Sequence, residues 1–199
     1  MEDIHEKKRW ILEQEEAFAR RLSLQVIDRP RLSIWMILIP IIFVHYFYRF
    51  QRFVSGQKEF VQNYLIGIRR ALEGAVEAVE KGKKPEPKTL AAASDVPEIV
   101  REKQAEVYAV LLDHYTDLLR ARGDDVESLI RSAYKSQTNY LLFLNHLDRV
   151  EKDRNAQLKP VLHRTTEEVD EIVNRIERGS GALRREAAEK IFSKRSGSL

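Results

Sequence analysis

The chain has 199 residues, one third of them charged, a net charge of +3 and no cysteine. The missing thiols exclude disulfides, thiolate nucleophiles and cysteine metal sites. The charge is unevenly placed: residues 1–31 hold seven basic and seven acidic groups, 49–94 hold nine and five, and 95–199 hold eighteen and nineteen. The basic surplus therefore follows one apolar run, and the larger C-terminal part lacks the basic face that nucleic acid requires, so no nucleic-acid partner is expected.

Residues 1–31 read as an amphipathic N-terminal arm. Ile4, Ile11, Phe18 and Leu22 form a loose helical stripe on an otherwise charged segment. Such a helix can lie on a bilayer surface or pack on the rest of the protein.

Residues 32–54 carry the strongest signal. From Leu32 to Tyr48 there is no charge: Trp35, Ile37, Leu38, Ile39, Pro40, Ile41, Ile42, Phe43, Val44, Tyr46 and Tyr48 predict a membrane anchor. Seventeen residues rise about 25 Å as a helix, the short end of what spans a hydrocarbon core of about 30 Å. Arg29, Arg31, Arg49 and Arg52 flank the run, with stems long enough to reach headgroups. Pro40 stands at its midpoint, so a kinked single span and a re-entrant hairpin are both open, as is a buried core helix. Thirty-one charge-rich residues precede the run and no small-residue cleavage site follows it, which argues against a removed signal peptide. The basic residues after it favour an inner or plasma membrane with the C-terminal part cytoplasmic.

Residues 55–82 predict a stalk helix. Val54, Val61, Ile68 and Ala75 recur every seven positions, with Leu65, Leu72 and Val79 between them, a seam suited to a partner helix in cis or in a dimer. Gly82 ends it, and residues 83–94, with two prolines and several lysines, read as a stiff linker.

Residues 95–178 predict an antiparallel helical hairpin or small bundle. Asp95 and Glu98 have capping-box spacing, Gly123 supplies a left-handed stop, and Asp124 with Glu127 opens a second helix running to about Arg154. After Pro160 a third helix is expected from Thr165, capped with Glu168. The Gly-Ser-Gly at 179–181 is expected to end it, leaving 179–199 as a short helix and tail.

Candidate chemistry is sparse. His45 reads as an interfacial imidazole, or as an ionisable group with a role inside the membrane. Asp113, His114 and Asp117 form the one speculative polar site, for a metal or a small ligand. Only Glu2 and His5 have the Glu-x-x-His spacing of helical di-metal sites. No phosphate loop or nucleophile elbow is present, so neither cofactor nor catalytic residue is expected. The expected protein is all-α and membrane-anchored, an interaction or scaffolding module with the bilayer and a protein partner or a second copy as its contacts. The alternatives are a membrane-bound enzyme or ligand-binding protein with a site around His114, and an accessory subunit of a larger membrane complex.

Overall fold

A computed structural model describes residues 4–27, 40–94, 96–162 and 169–193, without the side chains of 40–54, 162 and 169. Its regular structure is entirely helical among these residues. The helices are α1 (Ile4–Val26), α2 (Pro40–Lys81), α3 (Pro87–Ala92), a 3-10 turn (Glu98–Val100), α4 (Arg101–Arg120), α5 (Val126–Tyr134), α6 (Gln137–Leu162) and α7 (Val169–Ser193). The all-α expectation holds.

Among the described residues no helix is long and apolar enough to cross a membrane. The first half of the apolar run, with Trp35, Ile37, Leu38 and Ile39, lies outside them, as do Arg29 and Arg31 and the side chains from Pro40 to Val54. Pro40 is the first residue of α2, a position where the missing N–H sacrifices no helical hydrogen bond. From there α2 continues for 42 residues, about 63 Å, so the second half of the run and the stalk are one helix.

Five long helices close a ring: α1 lies against α2 and α7, α2 against α4, α4 against α6, and α6 against α7. The N-terminal segment is thus a wall of the bundle, and Ile11, Ala19, Leu22 and Val26 are buried along it. Buried Lys7 donates to the carbonyl of Ala121 at 2.7 Å and to that of Leu119 at 3.4 Å, closing the C-terminal end of α4. The heptad seam finds its partner in cis. Val61, Leu65, Ile68 and Leu72 are buried within the chain and Val79 packs on the same core, while α2 lies against α1 and α4.

Several boundaries differ from the sequence expectation. Within the linker, residues 87–92 form a short helix against α4, started by Pro87. The cap after the first hairpin turn is Asp125, not Asp124: its carboxylate accepts from Ser128 N at 2.6 Å, and Ser128 Oγ accepts from Asp125 N at 3.1 Å. Gly123 does not take the left-handed conformation; α4 ends on Ala121 with extended backbone. The single helix expected from Asp124 to Arg154 is two helices, parted at Lys135, whose φ of 65° is positive. Ser136 Oγ accepts from Asn139 N at 3.2 Å and Asn139 Nδ2 donates to the Tyr134 carbonyl at 2.9 Å, so one break serves as stop and start. A side chain at such a φ crowds the backbone. Lys135→Gly is expected to raise unfolding free energy by about 0.5–1 kcal/mol, measured by chemical denaturation. Pro160 lies inside α6, which reaches Leu162; Asp95, Thr165 and Glu168 lie outside the described residues.

The Gly-Ser-Gly does not end a helix, since α7 runs through it. Its glycines are buried because α7 approaches its neighbours there. A Cβ on Gly179 would come within 2.8 Å of Leu22 Cδ1, and one on Gly181 within 3.4 Å of Asp148 Oδ2. Gln25 Oε1 stands closer still to the Gly179 Cβ, at 2.6 Å, and Leu22 is buried, so both side chains would have to shift. Gly179→Ala, which would gain about 1 kcal/mol in an isolated helix, is therefore expected to lose about 1–2 kcal/mol here, with the melting temperature as readout.

Candidate functional site

The interior of the ring is polar. Glu15 of α1 stands in the apolar register Ile11–Glu15–Ala19, so its carboxylate is carried inward. It accepts from Tyr64 Oη at 2.8 Å and from Tyr115 Oη at 2.9 Å. Burial raises its pKa above the usual carboxylate value, and the two phenols only partly oppose that rise. Both phenols are pushed well up, first by burial and then by the carboxylate beside them, so they act as fixed donors.

Arg184 of α7 stands likewise in the register Ser180–Arg184–Ala188–Ile191. Its Nη1 donates to Asp148 Oδ1 at 2.5 Å and to Glu151 Oε2 at 2.6 Å, and its Nη2 to Glu151 Oε1 at 3.0 Å. The Phe18 ring covers the guanidinium at 5.5 Å. Burial works to raise the Glu151 pKa, but Arg184 outweighs it and holds the carboxyl below the ordinary range. The same carboxylates keep Arg184 charged despite its burial.

Above this floor the bundle opens. A cleft of about 510 Å³ separates the middle of α2, residues 60–70, from α6 and α7, with α4 at its back. That is the size of a small-molecule site. Glu151, Arg184 and Tyr64 line its base, and a smaller cavity of about 60 Å³ beneath reaches Glu15 and His114.

The three residues of the speculative polar site are not brought together. His114 turns into the core, where Phe143 stacks on it at 4.2 Å and Nδ1 meets Tyr134 Oη at 2.7 Å. Burial, with Arg184 adding to it, lowers its pKa to about 3. Asp113 faces solvent, paired with Lys84, and Asp117 is largely exposed; partial desolvation first and Asp113 second raise its pKa. Among the described residues no group of three His, Asp or Glu side chains could hold a metal ion. The Glu15–Tyr64–Tyr115 and Arg184–Asp148–Glu151 clusters escape a reading of charge pattern, because charged residues on amphipathic helices ordinarily mark the wet face.

The fold and the cleft define, among the described residues, an all-helical protein with an open cavity over an ion-paired floor. Compared with protein-family models, with curated proteins and with solved structures, the chain matches none.

Proposed function

We propose that the chain is a membrane-attached helical binding protein, held to the bilayer by residues 32–54 and taking a small ligand in the cleft between α2 and α6–α7. The observation that carries this reading is the 510 Å³ cleft over the Arg184–Asp148–Glu151 floor. Buried charge is costly to assemble, and its concentration at the base of an open cavity favours a binding role over simple packing. The scaffolding alternative is weakened because the 54–79 seam meets α1 and α4 of its own chain. The ligand-binding alternative gains a cleft, although away from His114.

The attachment rests on the uncharged run. Pro40–Tyr48, nine residues at the start of α2, reach about 13 Å, roughly one leaflet, which favours a re-entrant insertion whose other arm is 32–39. Both basic flanks then share one side, and the helical domain faces the cytoplasm from the inner or plasma membrane. A protein partner or a second copy would meet the outer faces of the ring.

The absence of native cysteine makes single-cysteine labelling clean. In native membranes, Leu38→Cys should resist a membrane-impermeant maleimide, while Leu24→Cys and Ile172→Cys, both exposed, should react from the same side. Native mass spectrometry of the full chain released from micelles should show a discrete small-molecule adduct. Extraction of the protein by alkaline carbonate, or an adduct-free spectrum, would defeat the proposal.

A further inference from the structure

On the floor of the cleft Arg184 is fully engaged by Asp148 and Glu151, and Glu177 accepts a hydrogen bond from Asn155 Nδ2 at 3.1 Å. Two further arginines line the cavity and neither meets a carboxylate among the described residues. Arg70 Nη1 donates to Tyr108 Oη at 3.3 Å. Arg154 is held by neutral amides: its Nε and Nη2 donate to Asn155 Oδ1 at 3.3 and 2.8 Å, and its Nη1 lies 3.5 Å from Gln104 Oε1. Both arginines are half-buried. A guanidinium fixed by neutral acceptors, partly out of water and with no carboxylate in ion-pair contact, keeps donors for an anion, although the charge of Arg154 already acts on Glu151 at longer range. Counting all charged lining residues, Arg70, Lys152, Arg154 and Arg184 stand against Asp148, Glu151 and Glu177, an excess of one positive charge.

Phe60, Ile68, Val96, Val107 and Ile176 supply an apolar stretch of the wall. Phe60 and Ile68 belong to the same helix as the second half of the uncharged run, from Pro40 on, and Phe60 follows Tyr48 by about 18 Å along its axis. The cleft thus opens within a short distance of the segment that meets lipid. An anion-binding end, an apolar length and closeness to a bilayer fit one kind of molecule.

We propose that the cleft binds a long-chain carboxylate, with its head on Arg70 and Arg154 and its chain along Ile68, Val107 and Ile176. This rests on the binding-protein reading above and names the ligand class for the same cleft. Glu177, through Asn155, orients Arg154 and is a positioning residue.

The test uses the full chain in neutral-detergent micelles and a sixteen-carbon carboxylate bearing a photoactivated diazirine in mid-chain. Adducts should map to the α4 and α7 segments around Val107 and Ile176. Unlabelled carboxylate should compete about tenfold better than the alcohol of equal length, and inorganic phosphate should not compete. The double variant R70Q/R154Q should lose about tenfold in labelling. Gly67 lines the cleft, and a Cβ there would meet nothing nearer than Tyr108 Oη at 3.9 Å. G67L should therefore occupy the cavity and abolish labelling while its melting temperature is maintained, which separates loss of the site from loss of the fold. Equal competition by the alcohol, or labelling indifferent to R70Q/R154Q, overturns the carboxylate assignment and leaves the binding protein standing. Adducts confined to residues 32–54 and unchanged in G67L overturn both.

Discussion

Replacing Arg184 with methionine is expected to lower the unfolding free energy of the full chain by about 3–5 kcal/mol at neutral pH. Its guanidinium makes three hydrogen bonds to Asp148 and Glu151, and the side chain is only 9% exposed, against 15% and 20% for the two carboxylates. Methionine fills most of the volume, so little of the loss comes from a cavity. The loss comes from two largely buried carboxylates left facing one another with only the more distant charge of Arg154 to offset them.

A pH signature separates this from a packing defect. In the native protein Glu151 has a depressed pKa, so its contribution is present above the unfolded value of about 4.5 and fades as pH falls through the folded one. Without Arg184 burial prevails, the folded pKa rises above the unfolded one, and acid relieves the penalty. The gap between native protein and variant should therefore be wide at pH 7 and narrow near pH 4.5, read by denaturation followed through helical circular dichroism. Changing Glu151 to methionine as well should recover part of the loss, since an apolar pair of similar size replaces the ionic one. A cost below about 1 kcal/mol, constant with pH, would show that the network contributes little to stability.

The sequence made the helices legible but not the interior they enclose. Apolar periodicity located α1, the stalk, the hairpin and α7, because each has one stripe that must leave water. It misplaced several boundaries, three of them for a clear local reason. Lys135 breaks a helix without glycine or proline, through the capping capacity of Ser136 and Asn139. Asp125 wins the cap over Asp124 because Ser128 reciprocates its hydrogen bond. Gly179 and Gly181 resemble a stop in isolation and serve close helix packing in the folded chain. For the cleft a signal was present. Glu15, Glu151 and Arg184 each fall at the four-residue spacing of buried neighbours, Ile11 and Ala19, Leu147, and Ala188. Charges standing in an apolar register, rather than opposite it, were the feature to weigh. What periodicity could not supply is that three such charges, from three helices, share one centre, since that depends on the order in which the ring closes.

His114 should make the protein acid-labile, and its replacement should show how much. The imidazole is buried, stacked on Phe143 and bonded to Tyr134, with Tyr115 beside it and the charge of Arg184 within reach. Burial first and Arg184 second lower its pKa from 6.5 to about 3, so the folded chain keeps it neutral where the unfolded chain protonates it. Below pH 6.5 the unfolded state therefore binds more protons, and stability falls with pH until about 3, by an amount on the order of 4–5 kcal/mol across the window. Glu15 works the other way. Its raised pKa means the unfolded chain loses the proton first, so stability declines as pH rises above about 4.5. The two slopes oppose each other above pH 4.5, and below it the histidine and the depressed Glu151 both remove stability, which places the steepest loss between about pH 4.5 and 3. His114→Phe keeps a ring for the Phe143 stack, removes the proton acceptor and leaves the Tyr134 hydroxyl without its partner. It should cost about 1–3 kcal/mol at pH 7 yet flatten the acid limb, so that the two denaturation curves converge and cross on acidification. A variant curve that stays parallel to the native one down to pH 3 would mean that the ring meets solvent in the native state, and that the core around Tyr115 and Phe143 is open to protons.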